Sequence, residues 1–244
     1  MTTLEKRRSL LWPTIWSALG LLLLLGLGTW QVQRLHWKEG LIAERNAALA
    51  ATPVPLPKTL DEARALEFHP VRAEGEFLND HELYLNAQSL KGAAGFHIVT
   101  PFRLSDGTIV FIDRGFVPTD RQAPATREAG EIAGPTAVTG LLRLPEPPGW
   151  FTPANEPAKN SWFSVDLPAM AQATGIGAAG VGSARPFYID ADKTPVPGGW
   201  PQGGQTITDL PNNHLQYAIT WYALAVALIA IYIRFAIRRR RSNA

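Results

Sequence analysis

Pro211-Asn212-Asn213-His214-Leu215-Gln216-Tyr217-Ala218-Ile219-Thr220-Trp221-Tyr222 opens a run that carries no charged residue from Leu215 to Ile233. A bilayer core about 30 Å thick is crossed by roughly 20 apolar residues of helix, so this run is long enough to span a membrane. A second run, Ser9 to Gln33, is equally free of charge and includes Leu21 through Leu25. It is too long for the apolar part of a signal peptide, and no Ala-x-Ala cleavage site follows before Trp30, so it reads as a retained anchor.

Flanking charges orient the two spans. Lys6, Arg7 and Arg8 precede the first, and Arg234 with Arg238 to Arg241 follow the second. Under the positive-inside rule both termini are cytoplasmic and residues 34–213 lie outside; Arg34, Lys38 and Arg45 belong to a long translocated segment, for which the rule counts little. The expected organisation is a cytoplasmic N-terminus (1–8), a span (9–33), a periplasmic domain (34–213), a span (214–233) and a basic cytoplasmic tail (234–244). Eight of the 23 Lys and Arg sit on the cytoplasmic flanks, which leaves the outer segment near −5. The sequence pI of 9.0 is thus a property of the flanks, and no basic folded face argues for nucleic acid. The arginine tail fixes topology and meets anionic membrane lipid.

Cysteine is absent and methionine occurs only at Met1 and Met170. Without thiolates the chain cannot form disulfides, attach haem through Cys-x-x-Cys-His, or carry copper(I) on soft ligands. The nucleophile elbow, the His-Glu-x-x-His zinc motif and the phosphate-binding glycine loop are also missing, so the expectation is a protein that is not an enzyme.

The outer segment reads as mostly β with short helices. Trp37, Leu41, Ile42, Arg45 and Leu49 continue the first helix, which ends by Thr52, before Pro53, Pro55 and Pro57. A short helix is expected over Leu60 to Leu66. Strands are expected at Val71–Phe77, Glu82–Asn86, Phe96–Leu104, Thr108–Val117, Ala137–Leu144, Trp162–Val165, Pro186–Ile189 and Gln205–Thr208. The turn Ser105-Asp106-Gly107 makes a hairpin of the third and fourth. Leu167 to Thr174 reads as a helix capped by Asp166. The fold class is therefore two transmembrane helices flanking one extracytoplasmic α+β domain, a β-barrel or sandwich with short helices.

Among candidate functional residues, His214 places an imidazole where an apolar helix leaves the bilayer, with Tyr217 and Trp221 on the same helix face. That face either holds a flat, metal-bearing ligand such as a haem or forms an interfacial aromatic belt. His69, His81 and His97 show no zinc-like spacing and are expected to be solvated.

Four stretches together resemble the surfeit-locus family of cytochrome c oxidase assembly proteins. They are Leu27-Gly28-Thr29-Trp30-Gln31-Val32-Gln33-Arg34 with Trp37-Lys38; Gly75-Glu76-Phe77; Gly95-Phe96-His97-Ile98-Val99-Thr100-Pro101 with Asp113-Arg114-Gly115-Phe116-Val117-Pro118; and Asn213-His214-Leu215-Gln216-Tyr217 with Thr220-Trp221-Tyr222. The resemblance implies a two-span assembly factor for a haem-copper oxidase. It further implies a haem a chaperone that binds the cofactor through His214 and aids its insertion into the catalytic subunit, with haem a synthase as a possible second partner. Because the first span begins almost at once, without a long basic presequence, a bacterial inner membrane is expected.

On that reading Asn212 or Asn213 either bonds the imidazole or caps the helix, and His36 can approach His214 if the spans pack together. Arg34 and Lys38 either meet haem propionates or sit at the interface, where Trp30, Gln31 and Trp37 anchor the span. Arg114 has the same propionate alternative but reads first as a structural residue paired with Asp113 or a distant carboxylate. The competing class is a cofactor-free membrane scaffold that binds oxidase subunits.

Overall fold

The computed structural model describes residues 10–177 and 182–242; the basic flank 6–8 lies outside them. Among the described residues there are four α-helices, α1 (Leu11–Leu49), α2 (Leu60–Ala65), α3 (Leu167–Ala173) and α4 (His214–Ser242). Eight strands accompany them: β1 (Val54–Pro55), β2 (Pro70–Phe77), β3 (Leu83–Gln88), β4 (Ala94–Leu104), β5 (Ile109–Pro118), β6 (Pro135–Arg143), β7 (Ser161–Trp162) and β8 (Ala184–Ala191). The chain forms two units, residues 1–44 with 209–244, and residues 45–208.

In the first unit, α1 and α4 are both long and apolar enough to cross a membrane. Their contacts run in opposite directions along the chain: Thr14 hydroxyl with Tyr232 hydroxyl (2.7 Å), Gly20 against Leu228, Gly28 against Tyr222, and Thr29 with the Tyr222 hydroxyl (3.2 Å). The helices are therefore antiparallel neighbours. Small residues make the close approach possible, since a Cβ at Gly28 would stand 2.8 Å from the Tyr222 ring, and Ala218 and Ala225 are buried on the α4 side. Leu22, Val226 and Ile231 turn outward, each about two-thirds exposed, an apolar surface suited to hydrocarbon as solvent.

The second unit is a closed β-barrel. Its ring runs β2-β6-β8-β5-β4 and returns to β2 through Gly75–Phe77 paired with Phe102–Leu104. The long strand β4 serves two neighbours on one edge, β3 along Ala94–Val99 and β2 along its last residues. β5 and β8 pair in parallel and the rest of the ring is antiparallel. Closure decides for the barrel against the sandwich.

β5 is buried along nearly its whole length because it faces two cores. Val110 and Ile112 point into the barrel with Phe77, Phe102, Phe187 and Ile189. Ile109 and Phe111 point out to a second cluster with Trp162, Leu167, Met170 and Tyr188, which α3 and β7 cover. The expected hairpin is present: Leu104 N–H donates to the Thr108 carbonyl (2.8 Å), Asp106 accepts from Thr108 N–H (2.9 Å), and Gly107 takes φ 80°. α2 starts with a full capping box between Thr59 and Glu62, and Asp166 caps α3 as expected.

Three sequence expectations need correction. Gln205–Thr208 forms no strand. Both edges of β8 are already taken, β5 accepts only a single bridge from Gln202, and Gly204 (φ 69°) turns the chain away. The strand expected at Trp162–Val165 is only Ser161–Trp162. The proline strip before α2 contributes a short parallel strand, β1, on the outer edge of β2.

Candidate functional site

His214 is the first residue of α4. The prolyl and asparaginyl residues before it do not favour continued helix, and two bonds seat the new turn. Asn212 Oδ1 accepts from the His214 N–H (3.4 Å), and the Asn213 carbonyl accepts from the Tyr217 N–H (3.2 Å). The Asn212 side chain thus caps the helix start, while Asn213 contributes its main-chain carbonyl.

The ring partner lies on α1. His214 Nδ1 stands 2.6 Å from Gln31 Oε1, a carbonyl-type acceptor, so Nδ1 is the donor, and in the neutral ring that tautomer leaves the lone pair on Nε2. Gln31 is only 8% exposed. The sequence suggests an interfacial anchor here, whereas the amide holds the imidazole. The sequence signals only that an amide inside an apolar span is costly without a partner, and not which partner it takes.

The other sequence candidates fall around this pair. Trp221 is half-buried and shares the inward face of α4 with His214, while Tyr217 flanks that face and is 54% exposed. On α1, Arg34 and Lys38 follow Gln31 by three and seven residues and lie on the same face. Arg34 is exposed and stacks its guanidinium 4.3 Å over Trp37. His36 lies well around the helix from Gln31 and bonds Glu39 at 3.2 Å, so it does not approach His214.

Arg114 is structural, with partners different from the nearest candidate. Its guanidinium, 3% exposed, meets Glu82 and Glu131 (both 3.4 Å), donates to the Gly130 carbonyl, and lies over Phe77. Arg127, 1% exposed, bonds the same two glutamates. Burial lowers the Arg114 pKa and raises that of Glu131, which the Glu82 charge raises further. Two guanidiniums and two carboxylates balance one another in this buried network.

Asp113 turns instead to His97. Their side chains, 9% and 16% exposed, meet at 2.6 Å, and Asp113 also accepts from Gly115 N–H. The expectation that His97 is solvated is therefore wrong. A bulge between His97 and Val99 shifts the β4–β5 register and brings the two together. Burial opposes charge on His97, but the Asp113 carboxylate outweighs it, and the imidazole pKa ends above its ordinary value. Asp190, beside them on β8, is pushed up to about 6 by burial and then by the Asp113 charge, with Arg143 partly offsetting. Among the described residues no group of three His, Asp or Glu is placed to hold a metal ion.

Comparison with known proteins gives concordant results. The SURF1 family matches residues 18–226. Surfeit locus protein 1 of Mus musculus is 39% identical over 229 residues, covering 88% of this chain and 72% of the relative. Surfeit locus protein 1 of Homo sapiens is 40% identical over 230 residues, 87% of this chain and 74% of the relative. A SURF1-like protein of Monosiga brevicollis is 36% identical over 231 residues, 89% and 84%.

Proposed function

The chain belongs to the SURF1 family of cytochrome c oxidase assembly factors, and on that premise we propose that it binds haem a through His214 and aids its insertion into the oxidase catalytic subunit. The observation that carries this reading is the His214–Gln31 pair: a buried amide fixes the tautomer that leaves Nε2 as a metal base. One imidazole would be enough to hold a haem iron. A bound haem would bring an iron for the imidazole nitrogen to ligate and two carboxylates for cations to meet.

The chain's own residues do the rest. Gln31 holds the imidazole plane. Trp221 and Tyr217 offer aromatic surface beside it, and Arg34 and Lys38 supply cations for the carboxylates. Leu215 and Ile219, 55% and 61% exposed, present an apolar edge to an isoprenoid tail and to lipid. A single protein ligand also suits release, because an acceptor that offers more ligands outcompetes it. The flanking charges support the reading that both termini are cytoplasmic and the barrel lies outside the membrane, where haem a synthase is the expected source of the cargo. We read the protein as a carrier and not a catalyst.

A cofactor-free scaffold is the second reading. Trp150 and Phe151, 94% and 93% exposed on the loop after β6, are the kind of aromatic pair that anchors a protein contact. Haem a content of the oxidase separates the two. In cells lacking the protein, His214→Ala should restore oxidase polypeptide without haem a in its catalytic subunit. Full haem a content with His214→Ala would leave the scaffold as the account.

A further inference from the structure

The barrel unit contains a cavity of about 370 Å³, within the range of small-molecule sites. It opens on the outward face of β5, β8 and β6, beside the second core cluster. Leu85, Val165 and Ile207 supply apolar wall, and Arg45 and Arg143 supply cations. Its acidic groups are committed: Asp113 to His97, Glu146 to Arg143 (2.7 Å), and Asp190 to Arg143 (3.2 Å) and the Thr206 hydroxyl (2.9 Å).

Arg45 is different. Among the described residues it is the lining arginine with no carboxylate partner. Its guanidinium packs 3.7 Å from the Phe68 ring centroid, and its Nε, buried, has no hydrogen-bond partner in the protein. Arg143 approaches the same ring at 4.5 Å, and its Nε is likewise buried and unpartnered. Phe68 itself holds φ 63°, a left-handed backbone that a bulky residue adopts only where its surroundings impose it, and such strain gathers at binding sites. Arg45 is thus a guanidinium in the cavity wall whose charge has no carboxylate partner among the described residues, and an oxyanion would supply one.

We propose that this cavity is a binding site for a small amphiphilic oxyanion, its carboxylate or phosphate taken by Arg45 and its apolar body by Leu85, Val165 and Ile207. A planar guanidinium presents parallel donors that match either oxyanion. The site lies within residues 45–208, with Arg45 on the last turns of α1, and stands whether or not His214 binds haem.

The test is calorimetric titration of the full chain in mild detergent with 3-phenylpropionate, 2-phenylethyl phosphate and the neutral 3-phenylpropanamide. Both anions should bind at one site per chain, and the amide should bind about tenfold more weakly or worse, as expected for loss of a charge-assisted bond. Arg45→Gln should cost the anions a similar factor and Arg45→Lys should recover part of it. Arg72→Gln, which removes a surface arginine elsewhere on the barrel, and His214→Ala should change nothing. Tighter phosphate binding would point to a lipid headgroup, and tighter carboxylate binding to a free organic acid. Equal binding of amide and anions, parent-like binding by a folded Arg45→Gln protein, or no binding by the parent at millimolar ligand would overturn the proposal.

Discussion

Gln31→Leu isolates the role of the residue that holds His214. The leucine keeps the bulk and suits the span, but removes the acceptor 2.6 Å from Nδ1. The Nδ1–H is then left beside a buried position without a partner, a loss of about 1–3 kcal/mol. Outer partners of metal-bound imidazoles are worth about 10–100-fold in affinity, which is the same range in free energy. We therefore expect Gln31→Leu to raise the Kd for haem a by about 10–100-fold in a spectrophotometric titration of the detergent-solubilised protein. Gln31→Glu should restore affinity, and should lower the reduction potential of the bound haem, because a carboxylate makes the imidazole a stronger donor. The double variant Gln31→Leu/His214→Ala should be no worse than His214→Ala alone, since the amide acts only through the ring. A Gln31→Leu protein with parental Kd and potential would refute the positioning role, and with it the argument that the tautomer matters.

Other outcomes follow from the packing and the buried charges. Glu82→Ala leaves Arg114 and Arg127, 3% and 1% exposed, with Glu131 as their one shared carboxylate, and should destabilise the barrel by about 3–5 kcal/mol, seen as a Tm drop of about 10 °C; a parental Tm would contradict the network's role. Gly28→Val drives a side chain into the Tyr222 ring, already 2.8 Å from an ideal Cβ, and should cost about 1–3 kcal/mol of helix packing and weaken haem binding with it; unchanged titration would show that the α1–α4 seam does not position His214. Asp190 rises from 3.8 to about 6 on folding and His97 also rises, so both hold protons more tightly in the native state. Stability should fall as pH climbs from about 4 to 6 through the Asp190 range, by about 3 kcal/mol, and fall further as pH passes through the raised His97 range. Urea midpoints should show Asp190→Asn flattening the first step alone; a parental profile in that variant would contradict the assignment.

The parts of the fold that depend on local chemistry were legible in the sequence. Asp106-Gly107 announced the β4–β5 hairpin, Asp166 the start of α3, and the uncharged runs both long helices. What could not be read was pairing across distance. Gln31 and His214 are 183 residues apart, and nothing local says that the amide meets the ring and not a headgroup. His97 and Asp113 meet because a bulge shifts the register by one residue, which alternation of apolar and polar residues does not encode. Arg114 sits next to Asp113 in sequence, yet successive residues of a strand point to opposite faces, so its partners had to come from elsewhere, Glu82 before β3 and Glu131 before β6. Gln205–Thr208 had strand-like composition and no free edge to join.

The central claim is that His214 is the haem ligand. It is tested most directly by the absorption spectrum of the protein purified in mild detergent from a host that makes haem a, beside its His214→Ala variant. A haem a band in the parent that is lost in the variant is the predicted result. No band in either, with the protein folded and haem a present in the host, or a band of equal strength in both, would contradict it.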